Sequence, residues 1–229
     1  HVLYIKLLRT NGEIIECSKF ERADWFYATL GGIGLTGIIL EAKIQLRSVQ
    51  SPWIHSETIP YHNLDEFFAL SDSSETDWEH TVSWIDCMNG ANAKGLFARG
   101  NLSSEHTQVE PKIKDKTFPI TPPISLVNKL SLPIFNFAYF HGNSLKKQPQ
   151  KVHYEPFFYP LDAMHEWNKM YGPKGFYQYQ SVVPKEIGKE VTQEMLNAIK
   201  KSGEGSFLAV LKTFGDRESG GMLSFPKHG

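Results

Sequence analysis

Trp25–Leu46 reads WFYATLGGIGLTGIILEAKIQL, and the order of its parts decides the architecture. Gly32-Ile33-Gly34-Leu35-Thr36-Gly37 matches the GxGxxG pattern. A Rossmann phosphate loop needs a strand before those glycines and a helix after them. Here the order is reversed: ADWFYATL has helical character and precedes the glycines, while IILEAKIQL alternates like a strand and follows them. The turn has two readings at this point. It is either a tight helix-to-strand connection or a place where bare backbone N–H groups meet a phosphate or nucleotide, because no Cβ stands in the way.

Upstream, HVLYIKLLRT alternates as a strand and Asn11-Gly12 supplies the positive φ angles of a hairpin turn, so residues 2–48 read as two strands, a short helix and a third strand. In that third strand one face is expected to be buried. From Pro52 the pattern changes. HSETIPY, NLDEFFALSD, TVSWIDCM and KGLFARG read as strand, helix, strand, strand. A second series is VHYEPFFYP (strand), LDAMHEWNKMY (helix), FYQYQSVV (strand), a helix over 185–201 and SFLAVLKTF (strand). In the 185–201 helix Ile187, Val191, Met195 and Ile199 recur every fourth residue on a core-facing side, and Gly203 marks its stop. The predicted class is α+β, an antiparallel sheet with helices on one face. Residues 103–150, rich in proline and lysine, read as a long, partly mobile excursion serving a site. Within it Ile124–Phe140 predicts a short helix and loop on the core.

The chain has 229 residues, 41% of them hydrophobic, enough for a substantial core. Lys and Arg number 24 and Asp and Glu 25, mixed along the sequence, so no broad field favours nucleic acid or an anionic surface. Two cysteines, Cys17 and Cys87, are too few for a disulfide framework and fit a reducing, cytoplasmic setting, with membrane association left open. No run of eighteen apolar residues predicts a transmembrane helix. The nine histidines carry no metal-ligand spacing, and there is no GxSxG elbow.

Two faces suggest a site. Alternation in FYQYQSVV puts Gln178 and Gln180 on one side with Phe176 and Val182, and paired amides read sugar hydroxyls as donor and acceptor; a plainly solvated face is the alternative. In SFLAVLKTF the same period sets Lys212 beside Leu208, Val210 and Phe214, a cation on an apolar face that needs a partner or a route to water.

WFYATLGGIGLTGIILEAKIQL resembles the end of the FAD-binding domain of vanillyl-alcohol-oxidase-type (PCMH-type) flavoproteins. FYPLDAMHEWNKMYGPKGFYQYQSVVP, SFLAVLKTFG, SWID and LFARG resemble the oxidase components of decaprenylphosphoryl-ribose 2-epimerases. The resemblance implies residues 1–50 as the C-terminal portion of an FAD-binding domain and 51–229 as a substrate-binding domain incomplete at its C-terminus. It implies FAD held by the backbone at Ile38, with Gly31, Gly32, Gly34 and Gly37 shaping the approach. It implies a substrate pocket made by Trp84, Leu161, Trp167, Gln178, Gln180, Leu208, Val210, Lys212 and Phe214. The implied reaction converts a sugar CH–OH to a ketone with hydride transfer to flavin; the substrate would be a free or lipid-linked sugar, and an NAD(P)H-dependent reductase would be the partner. The family's pyrophosphate loop is expected upstream of His1 and its closing residues beyond Gly229, so this stretch alone should retain little FAD and be inactive. Phe158-Tyr159 and Lys169 stand where the family tends to carry Tyr-His and Arg, which leaves the sugar open. An aldonolactone oxidase and a cofactor-free binding module are the competing readings.

Overall fold

A computed structural model describes residues 1–105, 116–146 and 148–229. They form two compact units: His1–Ser48 together with Phe214–Gly229, and Val49–Thr213.

In the first unit β1 (Val2–Leu8) and β2 (Ile14–Ser18) form the hairpin signalled by Asn11-Gly12, with Gly12 at φ 84°. Helix α1 (Ala23–Thr29) follows, and β3 (Ile38–Ile44) returns antiparallel to β1, giving the order β2-β1-β3. Alternate residues Ile5, Leu7, Ile15 and Cys17 point to one side of the hairpin and bury Phe26 of α1. That core corrects the expectation for the third strand. All seven residues of β3 are exposed, because it is an edge strand paired only with β1 and the apolar cluster lies over β1 and β2.

The second unit holds a five-stranded sheet, order β10-β5-β6-β4-β8, from β4 (Trp53–Tyr61), β5 (His80–Ile85), β6 (Gly95–Leu102), β8 (Gln150–His153) and β10 (Val210–Leu211), antiparallel at every pairing. A two-stranded parallel pair joins β7 (Lys116–Thr117) to β9 (Met164–His165). Helices α2 (Leu64–Ser74) and α5 (Gly188–Ser202) cover one face, where Tyr61, Phe67 and Phe97 form one cluster and Leu64, Ile85 and Leu196 another. The mixed helix and antiparallel sheet is the α+β class read from the pattern.

Local chemistry sets the helix ends. Asn63 Oδ1 accepts from the Glu66 N–H at 2.9 Å, while Glu66 Oε2 accepts from the His62 N–H at 2.8 Å. Those donors lack helical partners, and the side chains replace water for them. Asn63→Ala is expected to cost about 1 kcal/mol, read as a lowered denaturation midpoint at unchanged slope. Gly203, at φ 69°, ends α5 and donates to the Ile199 and Lys200 carbonyls. The predicted face of α5 turns inward only partly: Leu196 is buried, Val191, Met195 and Ile199 are half-buried, and Ile187 is exposed in a 3-10 turn ahead of the helix.

Three elements differ from the pattern. VHYEPFFYP is a strand only to His153, after which Tyr154–Phe158 turns into the short α4. LDAMHEWNKMY is not an α-helix; Met164–His165 pairs with β7 and Trp167–Tyr171 makes a 3-10 turn entered through Glu166 at φ 57°. FYQYQSVV has no ladder partner among the described residues, and Tyr177 and Tyr179 are 103% and 79% exposed. Alternation says which residues would share a face, not whether a free edge exists to receive the strand. The excursion 103–150 contains a 14-residue helix, α3 (Ser131–Ser144), which seats Leu132, Asn136 and Phe140 inward. Residues 106–115 and 147 of that excursion, and the mobility expected for them, lie outside the described residues.

Candidate functional site

The glycine turn of the first unit is built by side chains around it. Thr29 Oγ1 donates to the Trp25 carbonyl at 2.6 Å and lies 2.9 Å from Thr36 Oγ1. Arg9 donates to the Thr36 carbonyl at 2.5 Å, and its guanidinium lies 3.5 Å from the Trp25 ring centroid. Glycine is required at two places by close approach. A Cβ on Gly32 would lie 2.1 Å from the Ala28 carbonyl oxygen, and one on Gly37 would lie 2.3 Å from that of Leu8. Between them the backbone is bent the left-handed way, at φ 47° for Ile33 and 78° for Gly34. For a β-branched residue such a φ is an outlier, of the kind that clusters at functional sites. The space beside Gly34 is open, Ile33 and Leu35 are 83% and 71% exposed, and the N–H groups of Ile33, Gly34 and Thr36 donate to nothing among the described residues. The turn thus leaves backbone donors without a protein acceptor among the described residues.

The second unit supplies a different surface. Val210 of β10 lies directly across from Trp84 of β5, so the two side chains share a side of the sheet, and Leu211 faces the opposite side into the core. Alternation carries Lys212 to the Val210 side, and both are exposed. Leu208 is half-buried. Trp84 is fixed by its indole N–H, which donates to the Phe207 carbonyl at 2.8 Å. Its ring starts a row of aromatic contacts: Tyr139 at 4.9 Å, Phe135 stacked on Tyr139 at 5.7 Å, Phe207 at 5.4 Å, Tyr171 at 5.8 Å, then Phe176 at 4.4 Å and Trp167 a further 5.4 Å on. Trp84 and Trp167, 83 residues apart in sequence, thereby stand on one wall. Burial pushes the Tyr139 and Tyr171 phenols up, so both are neutral hydrogen-bonding groups at physiological pH.

The helix carrying Tyr139 is anchored by Asp86, at the end of SWID. Its buried carboxylate accepts from Asn136 Nδ2 at 2.7 Å, Asn89 Nδ2 at 2.6 Å and the Met88 N–H at 3.2 Å.

Among the residues read from sequence, the structure gathers Trp84, Val210 and Lys212 on one side of the sheet and joins Trp167 to them through the aromatic row. Gln178 and Gln180 are exposed in the unpaired stretch, and Leu161 is half-buried in a turn. Phe214 belongs to the first unit, where it pairs with Gly229 and meets Phe225 at 6.5 Å. Sequence reading missed Phe135 and Tyr139. Their spacing of four on one flank of a helix was the available signal.

No family model matches the sequence. The chain is 34% identical to decaprenylphosphoryl-beta-D-ribose oxidase of Mycolicibacterium smegmatis over 99% of its own length. The sequence is thus similar to that of an FAD-linked oxidase. The chain spans about half (51%) of that relative. Cytokinin dehydrogenase 3 of Arabidopsis thaliana is 30% identical over 46% of the chain and 17% of the relative. A crystal structure of 6-hydroxy-D-nicotine oxidase from Arthrobacter nicotinovorans overlaps 44% of the chain and 24% of its own, at 20% identity and TM-score 0.34, an overlap too small to bear on the fold.

The glycine turn leaves the N–H groups of Ile33, Gly34 and Thr36 without a protein acceptor among the described residues and has open space beside Gly34, features by which a backbone can meet the oxygens of an anionic ligand.

Proposed function

We propose that this FAD-linked oxidase oxidises a CH–OH group of a lipid-linked sugar to a ketone. The observation that carries the reading is the 34% identity to a decaprenylphosphoryl-ribose oxidase along 99% of the chain. The exposed cation at Lys212 beside an aromatic wall supports it, since sugars offer hydroxyls to a cation and C–H faces to rings. Held against Gly31, Gly32, Gly34, Gly37 and the Ile38 backbone, FAD would supply the hydride acceptor. Lys212 Nζ would donate to the reacting oxygen and stabilise the negative charge that grows there as the hydroxyl proton passes to solvent water. Trp84 and Val210 would bound the sugar. Gln178 and Gln180 would read neighbouring hydroxyls once the stretch carrying them closes over the substrate. An NAD(P)H-dependent reductase would complete the inversion by reducing the ketone.

Anaerobic titration of the flavin-loaded protein tests the reaction. A polyprenyl-phosphoryl pentose is expected to bleach the flavin spectrum in stoichiometric amount. Bleaching by an aldonolactone and not by the lipid-linked sugar would replace this reading with that of a lactone oxidase.

A further inference from the structure

Helix α3 is apolar on its outward as well as its inward side, unlike an ordinary surface helix. Its inward stripe is Leu132, Asn136 and Phe140, spaced by four residues. At about 100° per residue, the side facing away from that stripe is formed by Ile134, Ala138 and His141, with Leu130 and Leu145 at the two ends and Phe137 on its flank. Polar residues are expected there in water. Instead Ile134 is 73% exposed, Phe137 62%, Leu130 82% and Leu145 85%, and the preceding segment adds exposed Ile120 and Ile124.

The charge carried by this stretch of sequence is of one sign. From Lys116 to Tyr154 the sequence contains no Asp or Glu but has Lys116, Lys129, Lys146, Lys147 and Lys151. Lys151 is compensated by Glu105 at 2.5 Å. Lys129 precedes the helix and Lys146 follows it, and the Lys94 ammonium lies 4.4 Å from the Phe140 ring and 5.7 Å from that of Phe137. The carboxylate that α3 engages, Asp86, is buried beneath it. In a chain whose formal net charge is -1, this is a local concentration of cations around an apolar face.

We propose that α3 and the segment before it dock onto an anionic lipid surface, the apolar pole entering the headgroup–acyl boundary and the lysines meeting lipid phosphates. Fourteen residues are too few to span a bilayer, for which about 20 are needed, so the helix lies in the interface plane. The lysine rim selects anionic over neutral lipid, because basic residues next to a membrane respond to its surface potential within a Debye length. The same helix presents Phe135 and Tyr139 to the aromatic row beginning at Trp84, which puts the docked face beside the wall described above. The inference stands on exposure and charge and does not depend on the proposed reaction.

Co-sedimentation of the full chain with vesicles tests it. Binding is expected to phosphatidylcholine vesicles containing phosphatidylglycerol, and to weaken as salt rises. Ile134→Glu with Phe137→Glu should reduce partitioning at least about tenfold, since two large apolar side chains no longer leave water. The thermal melt should not move, because both positions are exposed. Lys129→Glu with Lys146→Glu should weaken binding to anionic vesicles and leave any binding to pure phosphatidylcholine unchanged. Absence of vesicle binding by the unaltered chain, or equal binding to both compositions, overturns the proposal. So does a concentration-dependent dimer abolished by the Ile134 and Phe137 substitutions, which would make a second copy the occupant.

Discussion

Lys212→Met is expected to lower kcat/KM of the flavin-loaded protein at least about tenfold while leaving its melting temperature nearly unchanged. The two effects separate because Lys212 is exposed on the Val210 side of the sheet, whereas the packing of this strand is carried by Ala209 and Leu211 on the opposite side. Methionine keeps most of the stem's volume. An exposed change of this kind shifts stability by about 0.5 kcal/mol or less. Losing a charged donor to a substrate oxygen removes about 1.5–3 kcal/mol of transition-state binding, which corresponds to a factor of roughly ten or more. Steady-state flavin reduction and a thermal melt on the same variant make the comparison. An unchanged kcat/KM removes Lys212 from the site, and a collapsed melt makes it a structural residue.

The largest loss of stability is expected from Phe67→Ala, about 3–5 kcal/mol. Phe67 is 1% exposed and its ring touches three others, Phe68 at 5.1 Å, Tyr61 at 5.6 Å and Phe97 at 5.9 Å. It is the point where α2 meets both β4 and β6, so truncation leaves a cavity against two strands that cannot collapse onto it. A typical domain is stable by only about 5–15 kcal/mol, so this change consumes a large part of the total. Phe20→Ala, at a position 87% exposed, should by contrast stay within about 0.5 kcal/mol. Chemical denaturation of both variants checks the ranking, and a Phe67→Ala loss below about 1 kcal/mol would contradict the packing described.

Local signals were legible because their causes are local. Asn11-Gly12 made a hairpin since its backbone preferences need no distant partner, and Gly203 ended α5 for the same reason. The helix–glycine–strand order in Trp25–Leu46 was readable, and with it the rejection of a Rossmann loop. Resemblance in the same residues pointed to the FAD-linked oxidases, and the 34% identity to one such relative along 99% of the chain agrees with it.

What the tertiary structure alone decided was which strands find neighbours and which side chains meet across long stretches of chain. β3 and FYQYQSVV both alternate, yet among the described residues β3 gained one ladder and remained exposed, and FYQYQSVV gained none. Period-two spacing allocates residues to faces; burial depends on a second layer that can come from anywhere in the sequence. Trp84 opposite Val210, and Tyr139 against Trp84, are contacts of that kind. The outer pole of α3 is the mirror case. Its apolar residues read as core because apolar residues usually are, and only the position of Leu132, Asn136 and Phe140 against the sheet shows that Ile134 and Phe137 face outward.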